Sequence, residues 1–187
     1  MLSSEEFDAY FDNAKSEWFR LEGLSSYKVD VEQPRLRAYL AGEPYASHAA
    51  PSPWYEEIER RVREGIAFRK VRVLAGPLSE YERWECEWSY TATERLGQRT
   101  FIIDRSEVDT LPELPPFDWW MMDGRVVLRM HYDNQGRFLG ASAIDDPEEV
   151  AAYVRLRDQA LDLATPFPAY WRSHPQYWRE NWLRSGS

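Results

Sequence analysis

The sequence predicts an α+β fold: a mixed or antiparallel sheet, made of a strand-helix-strand unit and a triple hairpin, packed by helices. Three observations carry this. The stretch Phe117 to Ile144 holds three short apolar runs separated by Asp123-Gly124 and Asn134-Gln135-Gly136, the signature of consecutive hairpins. Upstream, two apolar runs, Ala67 to Leu74 and Arg99 to Ile103, bracket a stretch of helical period. Downstream, Asp145-Asp146-Pro147 opens a strongly periodic helix, with aspartate at its start and proline in its first turn.

In chain order, Ser4 with Glu5 and Glu6 starts a short helix whose Phe7, Tyr10, Phe11 and Ala14 share one face. Trp18 to Glu22 reads as a brief strand, Phe19 and Leu21 alternating with Arg20 and Glu22. After the Ser25-Ser26 turn, Pro34 begins a second helix through Leu36, Tyr39 and Leu40, which Gly42 closes. Pro44 to Pro53 is loop, and Ser52-Pro53 starts a third helix with Trp54, Ile58 and Val62 inward. Phe68, Val71 and Val73 mark a central strand. The Gly76-Pro77 turn then opens a long helix with Leu78, Tyr81, Trp84 or Glu85, Trp88 and Ala92 on one face.

Asp104 to Leu111 is a short helix or turn before a proline-rich loop. In the first hairpin strand Trp119 and Met121 alternate with Trp120 and Met122, so both faces are apolar and the strand is central. The helix after Asp146 turns Val150, Tyr153, Val154, Leu161 and Ala164 inward, and the aromatic tail forms one or two short helices broken at Pro175. A single domain of 187 residues is expected, with residues 1–65 mainly helical, 66–165 the α+β core and 166–187 the tail.

The net charge of −9 repels phosphate backbones and anionic lipid, which argues against direct nucleic-acid or membrane binding. No apolar run approaches the roughly 20 residues of a membrane span, and the acidic N-terminus is unlike a signal peptide. The single cysteine, Cys86, can form no internal disulfide, and a cytoplasmic protein is expected. Nine tryptophans fill a core, or in part line a ligand pocket or a partner interface.

No cofactor-binding pattern occurs. His48, His131 and His174 have no ligand-spaced companions, so no metal site is expected. His131 could serve as a general base or as a satisfied strand histidine. Cys86 lies between Glu85 and Glu87, which oppose thiolate formation. The basic strand Arg69, Lys70, Arg72 beside an acidic helix with Glu80, Glu82, Glu85, Glu87 and Glu94 reads as ion pairing, or as an anion site. Asp123 is explained by its hairpin turn. Asp118, just before two tryptophans, needs an Arg or hydrogen-bond partner if buried, and either braces the fold or contacts a ligand. In the tail, Trp171 and Trp178 with neighbouring arginines pack on their own domain or anchor a partner.

Phe19-Arg20-Leu21-Glu22, Tyr39 to Glu43, Arg72-Val73-Leu74 with Pro77 to Tyr81, Phe117-Asp118-Trp119 with Met122-Asp123, and Arg157-Asp158 together resemble an actinobacterial family of uncharacterised proteins, domain of unknown function 6879. The resemblance spans nearly the whole chain, with Gly97-Gln98 here where the family has Gly-Glu. It implies a regulatory or interaction role beside helix-turn-helix regulators and draws attention to Arg20, Glu22 and Tyr81. The order of elements from Ala67 to Ala164 is also similar to one half of a phospholipase D-like domain. Aligning that family's His-x-Lys-x-x-x-x-Asp on Asp123 puts Pro116 at the His and Asp118 at the Lys, so phosphohistidine chemistry is excluded.

Two functions follow as expectations. One is a non-enzymatic module binding a protein partner, a helix-turn-helix regulator, through exposed aromatics and acidic surface. The other is a small-molecule binder or enzyme of specialised metabolism, using a Trp-lined pocket near Asp118, Trp119, His131 and Arg72.

Overall fold

The computed structural model describes residues 1–45, 52–110 and 113–182, so His48, Arg184, most of the Pro44 to Pro53 loop and the side chain of Trp182 lie outside it. Helix α1 (Ser4–Asn13) is capped by Ser3 rather than by Ser4: its hydroxyl accepts from Glu6 N while the Glu6 carboxylate accepts from Ser3 N at 2.8 Å. Strand β1 (Glu17–Glu22), helices α2 (Gln33–Leu40) and α3 (Pro53–Arg63) and strand β2 (Ala67–Leu74) follow.

The long helix runs from Glu80 to Arg95 as α4 (Glu80–Trp84), a π-helical stretch (Glu85–Tyr90) and α5 (Thr91–Arg95). Strand β3 (Arg99–Asp104), hairpin strands β4 (Trp119–Met122), β5 (Val126–Tyr132) and β6 (Phe138–Ile144) and helix α6 (Pro147–Leu163) complete the core. The tail adds β7 (Thr165–Pro166), α7 (Phe167–Ser173), a 3-10 turn (Pro175–Tyr177) and α8 (Arg179–Trp182).

The seven strands form one mixed sheet in the order β6-β5-β4-β1-β2-β3-β7. Strand β1 is parallel to β2 and antiparallel to β4, with Arg20 opposite both Lys70 and Trp120. The brief strand of the N-terminal portion is therefore the middle of the sheet. Both predicted hairpins are present, and β4 is an interior strand, although β6 ends at the sheet edge.

Alternation along the strands divides the core in two. Trp18, Phe68, Trp120, Leu128 and Met130 pack against α1 and α3, while Phe19, Leu21, Val71, Trp119 and Val127 pack beneath α6. The 80–95 helix and α7 cover the first of these faces farther along, over Leu74 and Ile102.

Two turns fix the geometry. Asp123, at φ +54°, accepts hydrogen bonds at 2.8–2.9 Å from the backbone N–H groups of Lys15, Ser16 and Glu17, so it fastens the start of β1 to the β4–β5 turn. Gly136 closes the β5–β6 turn at φ +76°, where a Cβ would come 2.5 Å from the Ser26 carbonyl oxygen. Only glycine allows that approach, and it seats the 26–28 backbone, with Lys28 N donating to Gly136 O at 3.0 Å.

Candidate functional site

The face of the sheet away from α6 carries a cleft of about 320 Å³. Its floor is cut from alternate residues of neighbouring strands: Arg20 and Glu22 of β1, Lys70 of β2, Trp120 of β4, and Met130 and Tyr132 of β5. Phe7, Phe11 and Trp54 form one wall and Phe138 closes it, giving that end an aromatic lining. The other wall is polar, with Glu85, Ser89, Tyr90 and Thr93 from the 80–95 helix facing Tyr27 and Glu32.

The π-helical stretch explains how the helix presents so many inward groups. Each i→i+5 turn adds a residue relative to an α-helix, so neighbouring positions that would fan outward stay inside. Trp84 joins Tyr27, Tyr39 and Tyr81, and Cys86 and Tyr90 join Leu74 and Ile102. Glu85 between them reaches Arg72, its carboxylate 3.1 Å from Nη2. The choice left open by a 3.6 period, Trp84 or Glu85, is thus resolved as both.

Beneath the cleft lies a chain of buried charges. Arg20, 3% exposed, donates to Glu22 at 3.2 Å, to Asp118 at 3.1 Å and to the Tyr132 hydroxyl at 2.8 Å, and its guanidinium lies over the Trp120 ring. Asp118 also accepts from Gly23 N and, at 2.6 Å, from the Tyr27 hydroxyl, which identifies the partners its position required. Lys70 reaches Glu22 at 2.9 Å, and Arg72 spans Glu85 and Glu82. The basic strand is therefore paired, Arg69 included, through Glu17.

Not every group in this chain is satisfied. Arg20 Nη1 and the Tyr90 hydroxyl, both buried, have no hydrogen-bond partner among the described residues, and both residues line the cleft. Such atoms are rare in folded proteins and costly when left dry.

The carboxylates divide in character. Burial pushes Glu22 up, but Lys70, Arg20 and Arg72 outweigh it and hold the group near 2. Burial raises Glu85 to about 7, with Glu22 adding to the rise and Arg72 opposing it. Glu32 is also raised by burial. Burial, then the Glu85 charge, keeps the Cys86 thiol protonated.

The structure brings Arg20, Glu22 and Tyr81 to the cleft and places Arg72 and Asp118 just behind it. It does not bring the expected pocket of Asp118, Trp119, His131 and Arg72 together. Trp119, fully buried, belongs to the α6 face, where it meets Phe19 and Tyr153. His131 shares the parity of Val127 and pairs with Ser142 at 2.8 Å. One residue along the strand sets the opposite face, and the tryptophan that lines the cleft is Trp120. Asp123 is a backbone clasp away from the cleft.

In the tail, Trp178 donates from Nε1 to Trp171 O at 2.8 Å, and Arg179 donates to Glu43 O at 2.7 Å. The tail thus folds back on its own domain, with Trp171 and Trp178 half-buried beside a surface depression. Sequence reasoning missed Tyr27, Glu85, Tyr90, Trp120 and Tyr132 as cleft residues. The alternation of Trp18-Arg20-Glu22 and Phe68-Lys70-Arg72 was the available signal, since it puts charge and aromatics on one face.

Among solved structures, the fold is similar to that of a phospholipase D family member, Nuc from Salmonella typhimurium, with a TM-score of 0.48 and 8% identity over 84% of this chain and 86% of that one. No curated protein matches the sequence. The family model described as Domain of unknown function (DUF6879) matches residues 5–172, and the chain belongs to that family.

Proposed function

We propose that the chain is a non-enzymatic binding module whose cleft takes a small, uncharged aromatic molecule bearing an acceptor oxygen. The observation that carries this is the pair of unpartnered donors, Arg20 Nη1 and the Tyr90 hydroxyl, at the polar end of an aromatic-lined cleft. An acceptor oxygen at either donor would supply its missing partner, and a flat ring can lie against the cluster that Phe11, Trp54 and Trp120 already form edge-on with one another. Around the polar end the carboxylates Glu22, Glu32, Glu82, Glu85 and Asp118 outnumber Arg20, Lys70 and Arg72, so a full negative charge is unwelcome.

Ligand-observed NMR with benzamide and benzoate as matched probes tests the reading. Benzamide is expected to bind in preference to benzoate, and Tyr90→Phe and Trp54→Ala each to weaken it by about tenfold, the worth of one hydrogen bond or ring contact. Binding of neither probe, or equal binding to both variants and the parent chain, overturns it.

A second reading, docking to a protein partner, is supported by Trp171 and Trp178, which stay half-buried beside Glu87 and Glu180 at the surface depression. With the net charge of −9, a basic partner such as a cytoplasmic helix-turn-helix regulator suits this surface, as the family resemblance implies. Co-purification from the native host of such a regulator, lost in Trp178→Ala, is the expected result. Unchanged co-purification with Trp178→Ala removes the tail from this role.

A further inference from the structure

The far end of β3 gathers three side chains that the cleft does not use: Asp104 at the strand end, Glu107 in the following turn and His174 after α7. One ligand atom from each lies within 4.8 Å of the others. Asp104 and Glu107 stand three positions apart, but His174 follows 67 positions after Glu107, which is why no spacing in the sequence announced the cluster.

The histidine is held in one orientation. Its ring, 9% exposed, stacks on Tyr170 with centroids 4.0 Å apart and lies parallel to Tyr177 at 5.9 Å. Nδ1 is 2.7 Å from the Tyr170 carbonyl oxygen. A carbonyl can only accept, so Nδ1 carries a proton and Nε2 is directed into the cluster. There Nε2 sits 2.8 Å from Glu107 Oε1, which as a carboxylate oxygen also only accepts. A neutral ring in this tautomer would oppose two lone pairs, so either a second proton closes the 2.8 Å gap as a hydrogen bond, or a metal ion parts the two atoms by a few tenths of an ångström, to the roughly 3.3 Å between ligands of a tetrahedral ion.

Asp104 favours the ion. It is 4% exposed, and its oxygens are oriented by outside donors: Ser106 N and Oγ on Oδ1, and the Tyr170 hydroxyl on Oδ2 at 2.8 Å. A ligating carboxylate with its own hydrogen-bond shell, and a ligating histidine whose other nitrogen donates to a carbonyl, are the usual supports of a metal centre. One proton on Nε2 can bridge to one carboxylate; a cation bridges both.

We propose that Asp104, Glu107 and His174 form a site for a divalent transition-metal ion. One imidazole nitrogen and two carboxylate oxygens suit Zn²⁺ or Co²⁺ better than Mg²⁺ or Ca²⁺, with water completing the shell. Bound there, the ion ties the residue after α7 to the end of β3 and so fastens the middle of the tail to the sheet.

The test is titration of metal-stripped full-length protein with Co²⁺, followed by visible absorption, and with Zn²⁺, followed by calorimetry and thermal unfolding. One equivalent of Co²⁺ giving a ligand-field band, and Zn²⁺ raising Tm, are expected. Glu107→Gln, at a half-exposed side chain that leaves the fold intact, should weaken binding about tenfold or more, as loss of one ligand requires. His174→Asn should abolish the band. No uptake of either ion at millimolar concentration, or uptake unchanged in Glu107→Gln, overturns the site and leaves an imidazolium–carboxylate pair in its place.

Discussion

Phe19, Leu21, Val71, Val73 and Trp119 lie beneath α6, whereas one residue along the same strands Arg20, Glu22, Lys70 and Trp120 line the cleft, with Arg72 just behind it. The α6 face is closed mainly with hydrocarbon, apart from Glu17 paired with Arg69 and Arg157 at the start of β1, and its stabilisation comes from area removed from water and from close packing. The cleft face buries charge instead. Desolvating those ions costs several kcal/mol apiece, and mutual attraction only offsets that loss, so a buried network of this kind is weak evidence for stability. A sheet that could have been apolar on both sides keeps an extended network of buried ions on one. The difference teaches that the two faces of one sheet are held by different physics, and it is the cleft face on which the proposed binding rests.

The comparison can be broken most directly by paired substitutions. Trp119→Ala and Arg72→Ala should each cost about 3–5 kcal/mol in urea unfolding, the first by leaving a cavity and the second by stranding Glu85 and Glu82. The faces then part company. Arg72→Met combined with Glu85→Leu should recover most of the loss, because Glu82 keeps its bond from Ser79 N, while no partner substitution should rescue Trp119→Ala. If Arg72→Met with Glu85→Leu stays as unstable as Arg72→Ala, the charges stabilise the fold and the contrast fails.

A smaller effect comes from pH. Glu85 titrates at about 7 in the folded chain against an ordinary 4.5, raised by burial, so the folded state binds its proton more tightly. Its contribution is full below about 4.5 and is lost as pH rises through about 7. Glu22, held near 2 against 4.5, runs the other way and is lost only as pH falls below 4.5. Stability should therefore decline between pH 5 and 8 by on the order of 2–3 kcal/mol, and Glu85→Gln should flatten that slope. An identical slope in Glu85→Gln assigns the titration elsewhere. The smallest effect is at the clasp: Asp123→Ala should cost about 1–2 kcal/mol by orphaning three backbone donors, and leave probe binding in the cleft unchanged.

The hairpins, the helix after Asp146 and the strand-helix-strand order were legible because turn residues and periodicity are local signals. The rest was not local. Six residues of β1 could not reveal that β4 and β2 would flank them, since that depends on pairing across about 50 and 100 positions. Alternation separated Trp119 from Trp120, but which of them faces the cleft depended on where α6 packs. Arg20, Glu22, Tyr81, Arg72 and Asp118 were singled out through charge and family likeness, and they lie at the cleft or just behind it. Tyr27 and Tyr90 were missed because a tyrosine in a loop or helix looks the same whether its hydroxyl is satisfied or idle. The π-helical stretch shifts the 3.6 period midway, so Glu85 could not be assigned to one side.

The place of β1 between β4 and β2 has a consequence in the time of synthesis. Strand β1 leaves the ribosome first among the strands, and its partner β2 follows some 50 residues later, but the β4 edge arrives only with residues 119–122. At ordinary elongation rates of about 5–20 residues per second, that is a delay of roughly 5–20 s with Trp18, Phe19 and Leu21 open along one flank. Asp123, which fastens the start of β1, is made immediately after β4. The nascent chain thus carries an unfinished hydrophobic edge through about 100 residues of elongation, and a truncation before residue 119 should be captured by chaperones or lost to aggregation rather than fold as a smaller domain.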